Sequence, residues 1–370
     1  MKHHLPAINQ RILTINIGSS SLKASYFTPD GTRQDWQFVV EQHQPNGKKA
    51  YKKAFANLFT QLAQITPDII AHRFVHGGDV AEAARWLNAA ELVRLKAITH
   101  LAPLHLPISL MSVKLCSAYF ITSQQPPRQA ACFDTAFHHN MPKIAQLLPI
   151  PATENMRRYG FHGLSYAYIA SQLTEKIGKV ANGRVIVAHL GAGASLCLMK
   201  NLQSRDTTMG YTPAGGVCMA TRAGDLDPGV MLALADRHST KVLSHMVNHQ
   251  MGLLAISHNQ SSDMQVLLNS KTSQAKLAVD YFCQQITAAI GSLAAKAGGL
   301  DALVFSGGIG EHAAIIRHKI CQPLAFMGIH IDEVNNKNNT EQLNAAKSLP
   351  ILKISTDEAL MMAKLVSSLD

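Results

Sequence analysis

The sequence has no apolar run near the roughly 20 residues that a membrane-spanning helix requires. Its first eleven residues carry Lys2, His3 and His4 with no long apolar stretch behind them, so no secretory leader is expected. Six cysteines are present, Cys116, Cys132, Cys197, Cys218, Cys283 and Cys321, and none forms a Cys-x-x-Cys pair. They sit among apolar neighbours. That argues against a disulfide framework or a zinc site and for reduced core thiols in a cytoplasmic protein. No phosphate-binding loop of the form G-x-x-x-x-G-K-[ST] occurs, and no nucleic-acid-binding motif. Charged residues are scarce, at 16% against 47% hydrophobic. This balance excludes a disordered chain and fits a globular protein with a large core.

What charge there is leans positive: 34 Lys and Arg against 24 Asp and Glu, a formal +10. The charges are dispersed. The one dense run, Lys48-Lys49-Ala50-Tyr51-Lys52-Lys53, reads as a solvated helix face. Small anionic substrates account for the excess as well as nucleic acid does. At 370 residues the chain is too long for one typical domain and comfortable for two.

An internal similarity organises the sequence. The apolar strand from Arg11 ends at Gly18, and Ser19 to Phe27 reads as a second strand. Arg184 to Gly191 repeats that design and runs into Ala192 to Met199. Likewise Ile69 to Gly78 is a strand entering two glycines, and so is Leu303 to Gly310. Each half carries a hairpin and then a strand-to-Gly-Gly turn, in the same order. Two similar α/β domains facing each other across a cleft would account for this. Glycines in such turns let backbone N–H groups approach a phosphate closely. Between the strands, the apolar spacing predicts helices over 81–100, 164–177, 273–297, 311–320 and 356–368, with 335–339 as a polar loop.

Several segments place polar groups where chemistry could use them. Asn16 to Lys23 offers an amide, three hydroxyls and an ammonium, which suits a phosphate or a metal–phosphate; it reads equally well as a serine-rich hairpin. Arg73 stands inside an apolar strand, and a buried Arg needs an anionic partner. His72 and His76 flank it on one strand face and read as core or hairpin histidines. His105, Asp134 and His162 are single polar groups among apolar residues or glycines. Met219 to Pro228 reads as a loop holding Arg222 beside Asp225 and Asp227, an ion pair that could staple the loop.

Taken together these segments resemble the acetate kinase family, in order and over nearly the whole chain. The matching stretches are 16–23, 71–78, 101–105, 133–137, 159–165, 189–193, 209–213, 221–228, 261–264, 306–311 and 355–360. Each is modest alone; eleven in register are specific. The resemblance implies the α/β fold shared by acetate and sugar kinases, Hsp70 and actin, of ribonuclease H-like type. Two structurally related domains would then hold the active site in the cleft between them. Residues 1–136 with 359–370 would form the acceptor-side domain and 137–358 the nucleotide side. It also implies a cytoplasmic homodimer that binds neither nucleic acid nor membrane. ATP and ADP would serve as co-substrates, Mg²⁺ (with Mn²⁺ as an alternative) as the metal, and acetate as the acceptor, giving acetyl phosphate.

By match to the family's motifs, Asn16 and Glu358 would hold the metal, with Lys23, Ser19 and Ser21 near phosphate. Arg73 and Arg222 would bind acetate and the transferring group. His162 would stabilise the transition state, and Asp134 takes the place of the family's proton donor and acceptor. The nucleotide side would be His189, Leu190, Gly191, Ala192 and Gly193, then Asp263, Met264 and Gln265, then Gly308, Ile309, Gly310, Glu311 and His312. The acceptor pocket would be Val75, Leu104, His105, Phe161 and Pro213. A carboxylate acceptor is already ionised near pH 7, since carboxylic acids titrate at about pH 4. It needs no general base, so Asp134 is expected to orient Arg73 or Arg222 rather than to move a proton.

The chain departs from the family pattern at named places. Ala192 stands where the family has Asn, and Gln265 where it has Arg. Leu106 replaces the Asn of the family's Leu-His-Asn-Pro, and residues 30–58 look shortened. The first two changes remove polar contacts on the donor side, so weaker ATP affinity or a changed donor is expected. The rival readings are a propionate or butyrate kinase, a family member with another phosphoryl donor such as pyrophosphate, and a non-catalytic ATPase-fold binding module.

Overall fold

The computed structural model describes residues 8–18, 21–40 and 47–369. The chain divides into two compact units, one made of 1–139, 162–171 and 357–370, the other of 140–161 and 172–356.

The first unit is built on a six-stranded sheet of order β3-β2-β1-β4-β6-β5. Its strands are β1 (Ile12–Ile17), β2 (Ser21–Phe27), β3 (Arg33–Val39), β4 (Ile69–Phe74), β5 (Ala84–Trp86) and β6 (Arg128–Phe133). β1, β4 and β6 run parallel; β2 pairs antiparallel with β1, and β3 with β2. β1 and β4 are nearly continuous apolar runs because both faces are covered. β3 lies at the edge, and its residues are mostly exposed and polar. On one face, α1 (Gly47–Gln61) and α3 (Leu106–Tyr119) pack Tyr51, Phe55, Leu58 and Cys116 against Leu13, Ile15 and Leu22. On the other, α14 (Glu358–Val366) and Leu164 at the start of α5 (Gly163–Ile177) cover Ile12, Ile69, Ala71 and Ala130. A third cluster joins Leu95 of α2 (Ala89–Ala97) to Phe74 and Phe133 at the strand ends.

The second unit holds a five-stranded sheet of order β11-β10-β7-β8-β9. Its strands are β7 (Val185–Leu190), β8 (Ala194–Lys200), β9 (Gln203–Thr207), β10 (Ala302–Ser306) and β11 (Ile351–Lys353). Read from the other edge, β9-β8-β7-β10-β11 repeats β3-β2-β1-β4-β6, with the same parallel and antiparallel pairings. The repeat legible in the sequence is thus a repeat of sheet topology. The longest helix here is α10 (Ser273–Ala297), started by the Thr272 side chain on Ala275 N and ended by Gly298 in the left-handed region. The others are α4 (Lys143–Gln146), α6 (Pro228–Arg237), α7 (Thr240–His249), α8 (Gly252–Ile256), α9 (Met264–Asn269), α11 (Gly307–His312), α12 (Ala314–Cys321) and α13 (Glu333–Lys337).

Three expectations are corrected. The helix expected over 81–100 begins only at Ala89, where the Asn88 side chain accepts from Glu91 N. Before it, Ala84–Trp86 pairs with β6, so sheet pairing overrides the helical pattern. The helix expected over 311–320 starts earlier, at Gly307, and breaks at Ala313. Residues 335–339 are not simply a loop: Asp332 caps α13, and Asn336 is buried to receive Arg317. All six cysteines are free and buried, as expected. Among the described residues no helix is long and apolar enough to cross a membrane.

Candidate functional site

In the first unit, four predicted residues converge at the ends of β1, β4 and β6 and the start of α14. Arg73 lies on β4. Its Nε donates to both oxygens of Asp134 at 3.1 and 3.2 Å, and its Nη2 donates to Oδ2 at 2.6 Å. Its Nη1 donates to Asn16 Oδ1 at 3.1 Å and lies 3.4 Å from Glu358 Oε2. Asn16 Nδ2 in turn donates to Glu358 Oε2 at 2.7 Å. The two Asn16 contacts fix its amide orientation, with oxygen toward the cation and nitrogen toward the carboxylate.

This cluster is largely removed from water: the side chains of Arg73, Asp134 and Glu358 are 14%, 1% and 16% exposed. Burial pushes the Asp134 carboxyl up to about 6; the Arg73 charge and hydrogen bonds oppose the shift, and Glu358 adds to it. Burial pulls the Arg73 guanidinium down, but the charges of Asp134 and Glu358 outweigh that and hold it cationic. The two-point fork is why this position suits Arg rather than Lys.

Lys23 faces Asn16 directly across the β1–β2 pair, so both side chains stand on one face of the sheet. Lys23 is exposed, and Ser21 is half-buried at the strand start. Ser19 lies outside the described residues. His162 adopts a left-handed backbone, φ 59°, a region that non-glycine residues rarely occupy. Gly163, next to it, is pressed against the backbone of Asp134: a Cβ there would lie 1.9 Å from the Asp134 carbonyl oxygen. Only glycine permits that approach, and it fixes His162 beside the Asp134 turn. Of the predicted acceptor residues in this unit, Val75 is buried, His105 half-buried and Leu104 41% exposed. His72 is a satisfied core histidine, as expected: its ring nitrogens meet Ser112 at 2.9 Å and Gln129 at 2.7 Å, and burial lowers it to about 4.

In the second unit, the two glycine turns come together. β7 and β10 are adjacent and parallel, with Ser306 opposite His189. Their carboxyl ends therefore deliver Gly191–Gly193 and Gly307–Gly310 side by side. A Cβ on Gly191 would lie 3.9 Å from Gly308 N, and one on Gly307 would collide with Leu190 O at 2.6 Å. Crevices at the carboxyl ends of parallel strands are where α/β sheets take ligands. Leu190 is buried, His189 half-buried and Ala192 exposed.

Ala220 N donates to Ala192 O at 3.2 Å, tying the Arg222 loop to this turn. Arg222 donates to Pro213 O at 2.5 Å. The expected pairing of Arg222 with Asp225 or Asp227 does not form. Asp225 instead accepts from Gly216 N at 2.7 Å, and Asp227 caps α6 through Gly229 N at 2.6 Å. Among the described residues Arg222 meets no carboxylate, and burial lowers it to about 10. A desolvated guanidinium with no counter-charge is set up for an anion. Asp263 caps α9 through Val266 N, Met264 is buried, and Gln265 is exposed on the first turn. Phe161 is buried and Pro213 half-buried. Glu311 folds back onto Gly307 N at 3.0 Å, Ile309 and His312 are also half-buried or exposed, and Gly310 is buried.

Two supporting residues were not anticipated. Ser165 donates to Glu358 Oε1 at 2.5 Å. Arg317, wholly buried, donates to the carbonyls of Gly310 and Glu311 at 2.9 and 3.0 Å and to Asn336 at 2.8 Å, which pins the second glycine turn. An Arg inside the apolar run Ile315-Ile316-Arg317 was the available signal for it.

Asn16 Oδ1 and Glu358 are the hard oxygen donors that would hold a divalent cation. Among the described residues no group of three His, Cys, Asp or Glu surrounds a metal position. Substrate phosphate oxygens and water would have to complete the shell, as is usual for Mg²⁺.

The profile described as the Acetokinase family matches residues 11–364. An acetate kinase of Rhodopseudomonas palustris is 42% identical over 390 residues, covering 95% of this chain and 96% of that one. Among solved structures, a propionate kinase from Francisella tularensis aligns with a TM-score of 0.83 at 33% identity, over 96% of this chain and 98% of that one. An acetate kinase from Entamoeba histolytica aligns with a TM-score of 0.83 at 29% identity, over 97% and 99%.

Proposed function

The chain belongs to the acetokinase family, phosphotransferases with a carboxylate acceptor, and on that premise we propose that it moves the γ-phosphoryl group of ATP to acetate, reversibly, giving acetyl phosphate and ADP. The observation that carries this reading is the contrast between two guanidinium groups. Arg73 is held in place by a buried carboxylate, whereas Arg222 is desolvated and meets none. Arg222 therefore binds an anion, and Arg73 presents its remaining donors to one.

Phosphoryl transfer calls for positioning and charge neutralisation more than for covalent help. Acetate arrives ionised and attacks in line, with no proton to remove. Asp134 orients Arg73 through its two-point contact. His162, Arg73 and Arg222 neutralise charge that spreads over the transferring group, and Lys23 and Ser21 hold phosphate oxygens. The turns Gly191–Gly193 and Gly307–Gly310, with Asp263 to Gln265 and Glu311 to His312, receive the nucleotide. Asn16 and Glu358 would hold Mg²⁺, which would supply further neutralisation of phosphate charge. Arg73, Asp134 and part of the acceptor side thus fall in the first unit, and Arg222, Phe161, Pro213 and the nucleotide side in the second.

The residues we assign to the acceptor are Val75, Leu104 and His105 of the first unit and Phe161 and Pro213 of the second. Telling acetate from propionate is a matter of one methylene, about 1–3 kcal/mol. The Francisella propionate kinase match makes propionate the second reading. A hydroxamate assay crossing acetate, propionate and butyrate with ATP, GTP and pyrophosphate decides both acceptor and donor. Acetate with ATP should give the highest kcat/KM, and a preference for another pair overturns this assignment.

The protein is further read as a cytoplasmic homodimer. α6 and α7 bury no residue, and Leu226, Val230, Leu232 and Val242 stand exposed on and beside them. A second copy covers this hairpin. Light scattering should return twice the chain mass, and a monomer at micromolar concentration refutes the pairing.

A further inference from the structure

A second cationic site lies in the second unit, at the opposite end of its sheet from the glycine turns. It is a cavity of about 680 Å³ lined by Arg158, Arg184, Lys200, Arg205 and Lys296, with Asp206 as the lining carboxylate. Arg184 precedes β7 and His189 nears its end, five residues at about 3.3 Å each, so roughly 16 Å of strand separates the two ends.

Not all of these charges are matched. Lys296 pairs with Asp206 at 2.7 Å, and Arg184 with Asp301 at 2.6 Å. Arg158 donates only to backbone oxygens, of Thr207, Thr208 and Met209, at 3.2, 2.9 and 3.3 Å. Lys200 and Arg205 meet no carboxylate among the described residues, and the Arg205 Nε is buried without a hydrogen-bond partner. Three cations without an ion pair among the described residues therefore share one cavity. Asp301 is held at about 2, first by the Arg184 hydrogen bonds and, least, by the charge of Lys200.

Arg205 is there because of a backbone irregularity. In the β8–β9 pair Leu198 faces Asp206 and Met199 faces Ser204, so Arg205 is the extra residue of a β-bulge. Bulges re-aim a side chain out of the ladder's alternation. Ile144, Leu147 and Leu198 give the cavity an apolar wall beside the cations.

We propose that this cavity binds a small organic anion carrying two or more negative charges on an apolar body, separately from the catalytic site. Guanidinium forks match carboxylate and phosphate alike, so the shared chemistry is a polyanion. Arg158 links the cavity to function. Its carbonyl contacts hold the strand end that leads into Met209–Pro213, and His162 follows it by four residues in the chain. An occupant that competes for Arg158 acts on the segment leading into Met209–Pro213.

The test is calorimetry on the full-length protein at low salt, with phenyl phosphate and isophthalate as probes and benzyl alcohol as the neutral control. One probe molecule per chain should bind, more weakly at high salt. Lys200→Ala/Arg205→Ala should weaken it by about ten-fold or more, with activity in the absence of probe unchanged. Binding of phenyl phosphate alone marks a phosphate ester as the ligand, and binding of isophthalate marks a polycarboxylate; either supports the site. No binding, or equal affinity in the double variant, overturns it. Saturating ADP should leave binding intact, and displacement by ADP also overturns the site. The double-variant comparison stands independently of the acetate kinase reading.

Discussion

Gly163 offers the sharpest test of how the fold positions its chemistry. Replacing it with Ala adds one methyl group, whose carbon would sit 1.9 Å from the Asp134 carbonyl oxygen and 2.9 Å from Phe137 Cβ. Ordinary contact begins near 3.4 Å, so relief needs a displacement of 3.4 − 1.9 = 1.5 Å. The oxygen belongs to backbone and cannot rotate away. The shift must separate the His162–Gly163 turn from the Asp134 turn that anchors Arg73. A misplacement of about 1 Å at a reacting centre costs on the order of 10²-fold, so Gly163→Ala should lose about that much in kcat/KM. Overpacking of this kind also destabilises by about 1–3 kcal/mol. The assay is acyl phosphate formation trapped as hydroxamate, beside a thermal melt and far-ultraviolet circular dichroism. Gly291→Ala is the control: it lies in α10, where a Cβ meets nothing within 4 Å. It should retain activity and gain about 0.5–1 kcal/mol of stability. A folded Gly163→Ala enzyme with activity within about threefold of wild type, well short of that 10²-fold loss, refutes the positioning argument.

Other consequences follow from the same contacts. Arg73→Lys keeps the charge but loses the fork on Asp134, and should cut kcat/KM by about 10²-fold or more; steady-state kinetics with wild-type-like activity would contradict this. Asp134 titrates near 6, above its unfolded value of about 3.9, so this group favours the fold as pH falls through 6 and costs stability above it. Activity should fall below pH about 6 as Arg73 loses its ionised anchor, and Asp134→Asn should flatten that limb at reduced rate. The solvent deuterium isotope effect on the chemical step should stay close to unity, and a large effect would give Asp134 a proton-transfer role. Gln265→Arg should lower the KM for ATP, and an unchanged KM removes Gln265 from the nucleotide side.

Much of this was legible because strands and tight turns write strong local signals. The β-branched runs ending in glycine gave β1, β4, β7 and β10 and their repeat, since a buried parallel strand is apolar throughout. Arg73 stood out because a cation in such a run demands a counter-charge, and Asp134 supplies it. The misreadings were tertiary. Ala84–Trp86 carries a helical pattern but finds a free edge at β6. Asp225 and Asp227 look like partners for Arg222, yet backbone N–H groups closer at hand take both. Ser165 and Arg317 were missed because their partners, Glu358 and Asn336, are far along the chain or hidden in a polar run. The Arg205 bulge left no trace in the sequence, because one extra strand residue changes no composition.

The central claim is that an ionised carboxylate, held by guanidinium groups, attacks phosphorus directly. It is tested by transferring an isotopically chiral thiophosphoryl group from ATP to acetate and reading the configuration of the product. Direct in-line transfer predicts inversion at phosphorus. Retention would require a phosphorylated enzyme intermediate and would contradict the roles assigned to Arg73, Asp134 and Arg222.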